Sequence, residues 1–450
     1  MAYASGSSAR DPDGTFKKEL LTSFRLSALS FQLKIKMAKV LIIGGGIVGL
    51  SSAYYLQKAG HEVTVLDKGD MTDSCSYGNA GMIVPSHFIP LATPGMVSQG
   101  IKWMFNSKSP FYVKPSLNPE LISWGLKFLK KANAAHVEKS AVPLTELSLL
   151  SKKLYEDLSK EPGFDFDLVE KGILMFYKTE KAGEEEAHMA EKGRELGLDM
   201  AVLSVDDCKR LQPKLELDVL GAVHYRCDAH LSPNKLMAAL IRYLKAAGVK
   251  LLTNKEVTKI ETKGGKVSRV LAGNEEFTAD EYIIAGGSWS PAIGRLLGLK
   301  ILLMPGKGYS FNVKDDSDTM HIPALLAEAR VAITPMNGGL RYGGTMELDK
   351  INDRINMNRV KGIVESVPKY FPGLKPAVPE QKDIWFGFRP SSADGLPYIG
   401  RSKQYSNLTV ATGHGMMGLS LGAATGLLAS EIISGKPTSI DIKEFAPERS

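Results

Sequence analysis

KVLIIGGGIVGLSSAYYLQKAGHEVTVLD, residues 39–67, carries the signal from which the fold is read. Lys39 to Ile43 is a continuous apolar, β-branched run, the pattern of a strand buried on both faces of a parallel sheet. It meets Gly44-x-Gly46-x-x-Gly49 and a helical stretch stopped by Gly60; Val63 to Leu66 is a second short strand. Such a compact β-α-β unit predicts a dinucleotide site. The glycines permit a tight turn, close approach of backbone to a pyrophosphate, and close helix–strand packing. The helix N-terminus offers unpaired N–H groups and partial positive charge to the phosphates. Asp67, ending the second strand, is placed to accept hydrogen bonds from ribose hydroxyls, and an acid at this position disfavours NADP. Lys68 beside it counts with the cofactor-binding residues.

Working outward, residues 90–213 change character to aromatic-rich segments and long helical patterns, with one strand at Lys171 to Lys178. The α/β alternation returns at His230: Pro233 opens a helix closed by Gly248, and a hairpin turning at Gly264 and Gly265 follows. YIIAGGSWS and LTVATGHGMMGLSLG each read as a strand running into a glycine-rich turn, so a cofactor larger than one nucleotide is touched from several places. The expected fold class is α/β, with two domains built from discontinuous pieces. A Rossmann-type nucleotide domain takes residues 37–95, 225–300 and 384–440. An α+β substrate-binding domain takes 96–224 and 301–383.

The 450 residues include 44% apolar and 23% charged side chains, an ordinary globular composition. Three cysteines (Cys75, Cys208, Cys227) are too few for a disulfide scaffold, and the odd count favours a reducing compartment. The net charge is +7, but residues 1–36 hold six basic and three acidic side chains. The body keeps 50 basic against 46 acidic groups, +4, which excludes a nucleic-acid footprint and gives only slight support to an anionic membrane surface. Residues 1–36 lack a clear signal-peptide pattern; they read as an extension upstream of Met37, a targeting segment or an amphipathic helix. Gly415 to Ser430 carries no charge but is glycine-rich and short of a bilayer span, so a buried helix is expected there. No His/Cys/Asp cluster has metal-ligand spacing.

Taken together, VLIIGGGIVGLSSAYYL with Asp67, DSCSYGNAGMIVP (73–85), NKEVTKIE, IIAGGSWS, GFRPSSADGLPYIG and GHGMMGLSLGAATG resemble the D-amino acid oxidase superfamily of flavoproteins, which includes glycine oxidase, sarcosine oxidase and bacterial D-amino acid dehydrogenases. The resemblance runs from Lys39 to about Gly435. It implies a GR2-like FAD-binding domain and noncovalent FAD. By the same resemblance Ser74, Ser76, Asn79, Ala80, Gly81 and Met82 lie over the pyrophosphate and flavin, Val257 holds the adenine, and Ala285, Gly286 and Trp289 make a second contact. Gly415, Met416, Met417, Gly418 and Leu419 face the flavin's pyrimidine edge. The wording of AGMIVPS, GKGYSF and GHGMMGLSLG is closest to D-amino acid dehydrogenases, including the branch acting on hydroxy-D-proline.

The implied activity is oxidative deamination of a D-amino acid to a 2-oxo acid and ammonia, the Cα hydride going to flavin N5 and the electrons to a quinone or other acceptor. The amine must react neutral, which apolar surroundings that desolvate the ammonium, or a site that binds the free-base form, can achieve without a dedicated protein base. The protein must supply orientation, above all a cation for the carboxylate. Arg389, in the GFRP segment, is the foremost candidate, with a structural role as its alternative; Arg341 and Arg330 are further candidates. Tyr309 can offer a hydroxyl to substrate or simply pack, and His87 can line the pocket or be structural. His414 is read as hydrogen-bonding near the flavin turn, and a covalent flavin link at Cys75 would be exceptional. Trp103, Phe105, Phe111 and Tyr112 form either cap-domain core or an entrance loop touching a membrane. Other readings are a glycine-, sarcosine- or proline-type amine oxidase or a (hydroxy)proline dehydrogenase of the same superfamily, a flavin-binding subunit without turnover, and an NAD-binding regulator. The expected location is the cytoplasm, with possible peripheral contact at the inner membrane.

Overall fold

The computed structural model describes residues 37–95, 111–113, 118–314, 318–336 and 338–449. The N-terminal extension and the residues Trp103 and Phe105 of the aromatic stretch lie outside them.

Two sheets organise the chain. The nucleotide sheet has six strands in the order 398–401, 408–412, 281–284, 39–43, 62–66, 250–252. All neighbours are parallel except Tyr398–Arg401, which runs antiparallel to Leu408–Thr412 along the edge. Its central strand Lys39–Ile43 is buried from Val40 onward, as its unbroken apolar run predicts. Residues Glu281–Ile284 enter beside it from far along the chain, so this sheet is a mosaic of distant segments.

The nucleotide helix Ile47–Lys58 and the C-terminal helix Gly418–Ile433 cross close together on one face. Gly422 and Gly426 allow this: a Cβ at Gly426 would lie 2.5 Å from the Ser51 backbone, and one at Gly422 2.8 Å from Ile47. By length and composition residues 415–433 could cross a membrane. Yet Leu419 and Ala423 sit in one core with Ile47, Leu50 and Tyr54, and Leu421, Ala424 and Leu428 in another with Leu144 and Leu147. Its neighbours within the protein thus account for its apolar character.

The second sheet joins Trp385–Ser392, Leu303–Lys314, Gly339–Leu348, Val331–Met336, Ala324–Leu326, Ile173–Tyr177, Gly221–Tyr225 and Met200–Leu203 in that order, with Phe111–Val113 beside Gly339–Leu348. Two assignments made from sequence are corrected here. Trp385–Ser392, placed with the nucleotide domain, pairs antiparallel with Leu303–Ser310 over its whole length, so the third nucleotide segment begins after it. Helix Ala134–Leu158, placed with the substrate domain, packs on the nucleotide side: Tyr155 and Leu158 join the Ile47 core, and the Tyr155 hydroxyl donates to Leu419 O at 2.6 Å.

Candidate functional site

A cavity of about 690 Å³ opens where the parallel strands end and the second sheet begins. Ile43, Leu66, Ala285 and Thr412, at the C-terminal ends of four neighbouring strands, form its floor, where a sheet of this class takes its ligand. Its size is that of a ligand pocket.

The three glycines of the first turn divide the work. Gly44 has φ +119°, and a Cβ there would strike Ala285 O at 2.4 Å. Gly49 faces away from the cavity, its Cβ position 1.9 Å from Gly44 O, so it serves helix–strand packing and is corrected as a direct contact. Gly46 lines the cavity, with only Ser76 Oγ near its Cβ position, at 3.7 Å. The nucleotide helix lacks a side-chain N-cap at Gly46; only the Ser76 hydroxyl reaches in, accepting from Ile47 N at 3.1 Å. Asp67 accepts from Gly45 N at 2.6 Å and Gly69 N at 2.7 Å, one bond per carboxylate oxygen, which leaves lone pairs for hydroxyl donors. Lys68 Nζ stacks 3.9 Å over the Trp289 ring, and Val257, Ala285 and Gly286 complete this end of the wall. Ser74, Asn79, Ala80 and Met82 line the cavity farther along.

A second helix N-terminus also borders the cavity. His414, Gly415, Met416, Met417, Gly418 and Leu419 all line the cavity, and helix Gly418–Ile433 also starts without a side-chain cap. Nothing lies within 4 Å of a Cβ at Gly415, or at Gly287 on the neighbouring turn, so bare backbone faces open space at both. His414 is held by Thr425, Nε2 to Oγ1 at 2.9 Å, and burial pushes its pKa down to about 3, which keeps it neutral. Around this end Met82, Val84, Ala80, Leu325, Ala332 and Met417 form one apolar cluster.

Arg389 lines the cavity. Its guanidinium crosses directly over Gly308, where a Cβ would be 2.1 Å from Nη1. Nη1 donates to Thr345 O at 2.5 Å. Burial lowers its pKa to about 10, still charged at neutral pH. Arg330 also lines the cavity. Arg341 does not and is corrected as a substrate residue: it is buried behind the loop, donating to Tyr77 O (2.9 Å), Asn79 O (2.8 Å) and Asn312 Oδ1 (2.9 Å), and so braces the segment that carries Asn79. Gly81 is corrected likewise. Its N–H donates to Asn79 Oδ1 at 2.9 Å, its carbonyl accepts from Leu231 N, and neither reaches the cavity lining. Tyr309 borders the cavity, but its hydroxyl donates to Glu347 at 3.4 Å and accepts from Asn356 N at 3.1 Å, both outside the lining, so its offer of a hydroxyl to substrate is corrected to packing. His87 lines the cavity.

Sequence reasoning passed over Gly308, Trp385 and the apolar residues Leu325 and Ala332. Gly308 and Trp385 had a readable signal in hindsight: glycines at 78, 308 and 387 stand opposite large side chains, and the Trp385 ring fills the Cβ positions of both Gly78 (1.9 Å) and Gly387 (2.1 Å). Leu325 and Ala332 had none, because their strand faces depend on sheet order.

Two uncapped helix N-termini, an acid with spare lone pairs and bare glycine backbone at both ends fit a long anionic dinucleotide with a second electron-rich end. The family model for FAD dependent oxidoreductase matches residues 39–432. The chain belongs to this FAD-dependent oxidoreductase family. A shorter match, residues 2–75, is to pyridine nucleotide-disulphide oxidoreductases and covers the same first β-α-β unit. Within the FAD-dependent family, the chain is 31% identical to a D-amino acid dehydrogenase of Dechloromonas aromatica, over 88% of this chain and 97% of that one. It is 32% identical to one of Helicobacter pylori, over 88% and 94%. Among solved structures it is similar to glycine oxidase from Geobacillus kaustophilus, with TM-score 0.74, 25% identity, and coverage of 92% and 99%. Membership makes FAD the cofactor; the glycine turn, Asp67 and the two helix termini all border the one cavity described above.

Proposed function

We propose that this chain oxidises D-amino acids to 2-oxo acids and ammonia, holding FAD noncovalently and passing electrons to a quinone or another acceptor. Bound FAD supplies the two-electron acceptor for the substrate's Cα–H. The observation that carries the reading is Arg389, a charged guanidinium on the cavity wall with one N–H spent on Thr345 O and no carboxylate partner among the described residues. Its planar fork suits the substrate carboxylate, and Gly308 leaves it the room to lie flat. The apolar cluster of Met82, Leu325, Ala332 and Met417 penalises an ammonium and favours the neutral amine. The D-amino acid class is supported by the relatives that carry that name. Noncovalent binding is supported by Cys75, whose thiol burial pushes its pKa up and whose sulfur accepts from Phe388 N at 3.3 Å, a poor nucleophile.

Delivery of electrons at the cytoplasmic face of an anionic membrane is supported by helix Pro119–Lys131. Ile122, Leu126 and Leu129 are 49%, 63% and 54% exposed along one face, with Lys130 and Lys131 beside them.

The reading is tested anaerobically, by mixing the yellow protein with matched D- and L-amino acids, both prolines, glycine and sarcosine, and following the visible flavin band. Bleaching by D-enantiomers is expected. Bleaching by glycine or sarcosine alone would favour an amine oxidase, to which the likeness to glycine oxidase points. No bleaching at all overturns the reading.

A further inference from the structure

His87 is joined to a buried carboxylate that takes no part in the site as described so far. Asp228 is fully buried behind the cavity wall. It accepts Ser86 N–H at 2.9 Å on Oδ1 and the Ser86 hydroxyl at 2.6 Å on Oδ2, and the Cys227 thiol lies 3.5 Å from Oδ1. Ser86 Oγ in turn lies 3.0 Å from His87 Nδ1. A hydroxyl has one proton. Since Ser86 gives its proton to Asp228, it can only accept from His87, so Nδ1 carries the imidazole proton and Nε2 keeps its lone pair. Among the described residues nothing is hydrogen-bonded to Nε2, and His87 lines the cavity while Ser86 and Asp228 do not.

We propose that His87, Ser86 and Asp228 form a proton relay that removes one proton from the ammonium of the bound amino acid. The inference rests on the amino-acid-oxidising function proposed above. In the forward direction an ammonium N–H bond breaks as His87 Nε2–H forms. His87 Nδ1–H breaks as a new Ser86 O–H forms, and the old Ser86 O–H breaks as Asp228 Oδ2–H forms. No electrons change hands. The substrate becomes a neutral amine, Asp228 becomes a carboxylic acid, and His87 ends neutral with its proton moved from Nδ1 to Nε2. The same steps in reverse return the proton to solvent after product leaves. His87 is the catalytic residue; Ser86 and Asp228 act through it.

The electrostatics agree with this division. Burial pushes the Asp228 carboxyl up to about 7, so it can store a proton near neutrality. Burial, and then the nearby Arg330, push His87 down to about 4, so the imidazole passes the proton on and does not keep it. The other titratable or charged groups facing the relay are Cys227 beside Asp228, Tyr225 on the preceding strand, and Lys152 from helix Ala134–Leu158.

The test uses the FAD-loaded protein, anaerobic flavin reduction by D-alanine and D-proline across pH, and ¹⁵N NMR of the histidines. The wild type should reduce its flavin at a rate that rises up to about pH 7, as Asp228 ionises and can accept, and is level above it, with His87 protonated on Nδ1. Ser86→Ala and His87→Gln should bind FAD normally but lose roughly 100-fold in rate near pH 7, as removal of a general base does. Their rates should climb tenfold per pH unit, tracking the free amine, and meet the wild type above the pKa of the substrate amine. Ser86→Ala should also lose the Nδ1 tautomer, and Ser86→Thr, which keeps a hydroxyl, should restore both readouts. Asp228→Asn should show the same loss of rate and the same climb with pH; should it fail to fold, the Ser86 pair carries the test. A wild-type pH profile in Ser86→Ala, or a wild-type rate that goes on climbing tenfold per pH unit above about pH 7.5 up to the pKa of the substrate amine, overturns the relay alone. A wild type that no amino acid bleaches overturns the proposed function and the relay together.

Discussion

Arg389 and Gly308 are one device made of two residues. The guanidinium occupies the space a Cβ at 308 would need, and Nη1 is steered by Thr345 O. Arg389→Ala should raise KM for amino acids by about one and a half to three and a half powers of ten, from a loss of ~2–5 kcal/mol for a buried charge-assisted pair, with FAD retained. Gly308→Ala should act in the same direction without touching charge, because it tilts the fork off the carboxylate; steady-state kinetics and the flavin spectrum check both variants. Equal KM values in Gly308→Ala and wild type would show that the fork has room to move. That Arg389 borders the cavity was legible because GFRPSSADGLPYIG is a recognisable segment. Arg341 misled because its partners, the carbonyls of Tyr77 and Asn79, lie 264 and 262 residues away in sequence. A strand arginine that braces a loop and one that meets a ligand have the same local sequence signature.

Elements were read well where their pattern is local. The first β-α-β unit, the proline-led helix Pro233–Ala246 and the hairpin turning at Gly264 and Gly265 all stand where composition and turn chemistry put them. The second sheet was not legible. Trp385–Ser392 pairs with a strand some 80 residues earlier, and only that pairing reveals which domain it serves. Helix Pro119–Lys131 shows two faces: Trp124 and Phe128 stack inward with centroids 5.0 Å apart, while Ile122, Leu126 and Leu129 point to solvent. If that outer face meets an anionic membrane, Leu126→Glu should abolish co-sedimentation with vesicles rich in anionic phospholipid and leave flavin bleaching by substrate unchanged. Wild-type protein that stays in the supernatant at low salt would remove the membrane role from this helix.

For the molecule as a whole, buried neutral histidines set the response to acid. His230 is held down to about 4 and His414 to about 3, both chiefly by burial. The unfolded chain takes up these protons below about pH 6.5 and the folded chain does not, so stability falls on acidification by ~1.4 kcal/mol per pH unit per histidine. Asp228 runs the other way. Its folded pKa, about 7, lies above the unfolded value, so its contribution is fully present at low pH and lost as pH rises through about 7. Asp228→Asn removes that counterweight and should make the melting temperature fall more steeply between about pH 7 and pH 5 than in the wild type. Parallel curves for the two proteins would mean that Asp228 titrates like an exposed carboxylate.

The order of the nucleotide sheet also has a consequence for how the chain is made. Lys39–Ile43 emerges early from the ribosome, yet one of its two neighbours, Glu281–Ile284, follows more than two hundred residues later, and the turn at Gly415–Met417 later still. At roughly 5–20 residues per second, the apolar first strand waits many seconds with one edge unpaired. The cavity that the turn at Gly415–Met417 borders is therefore complete only after that turn has been made, and until Glu281–Ile284 arrives the exposed strand edge is a matter for chaperones.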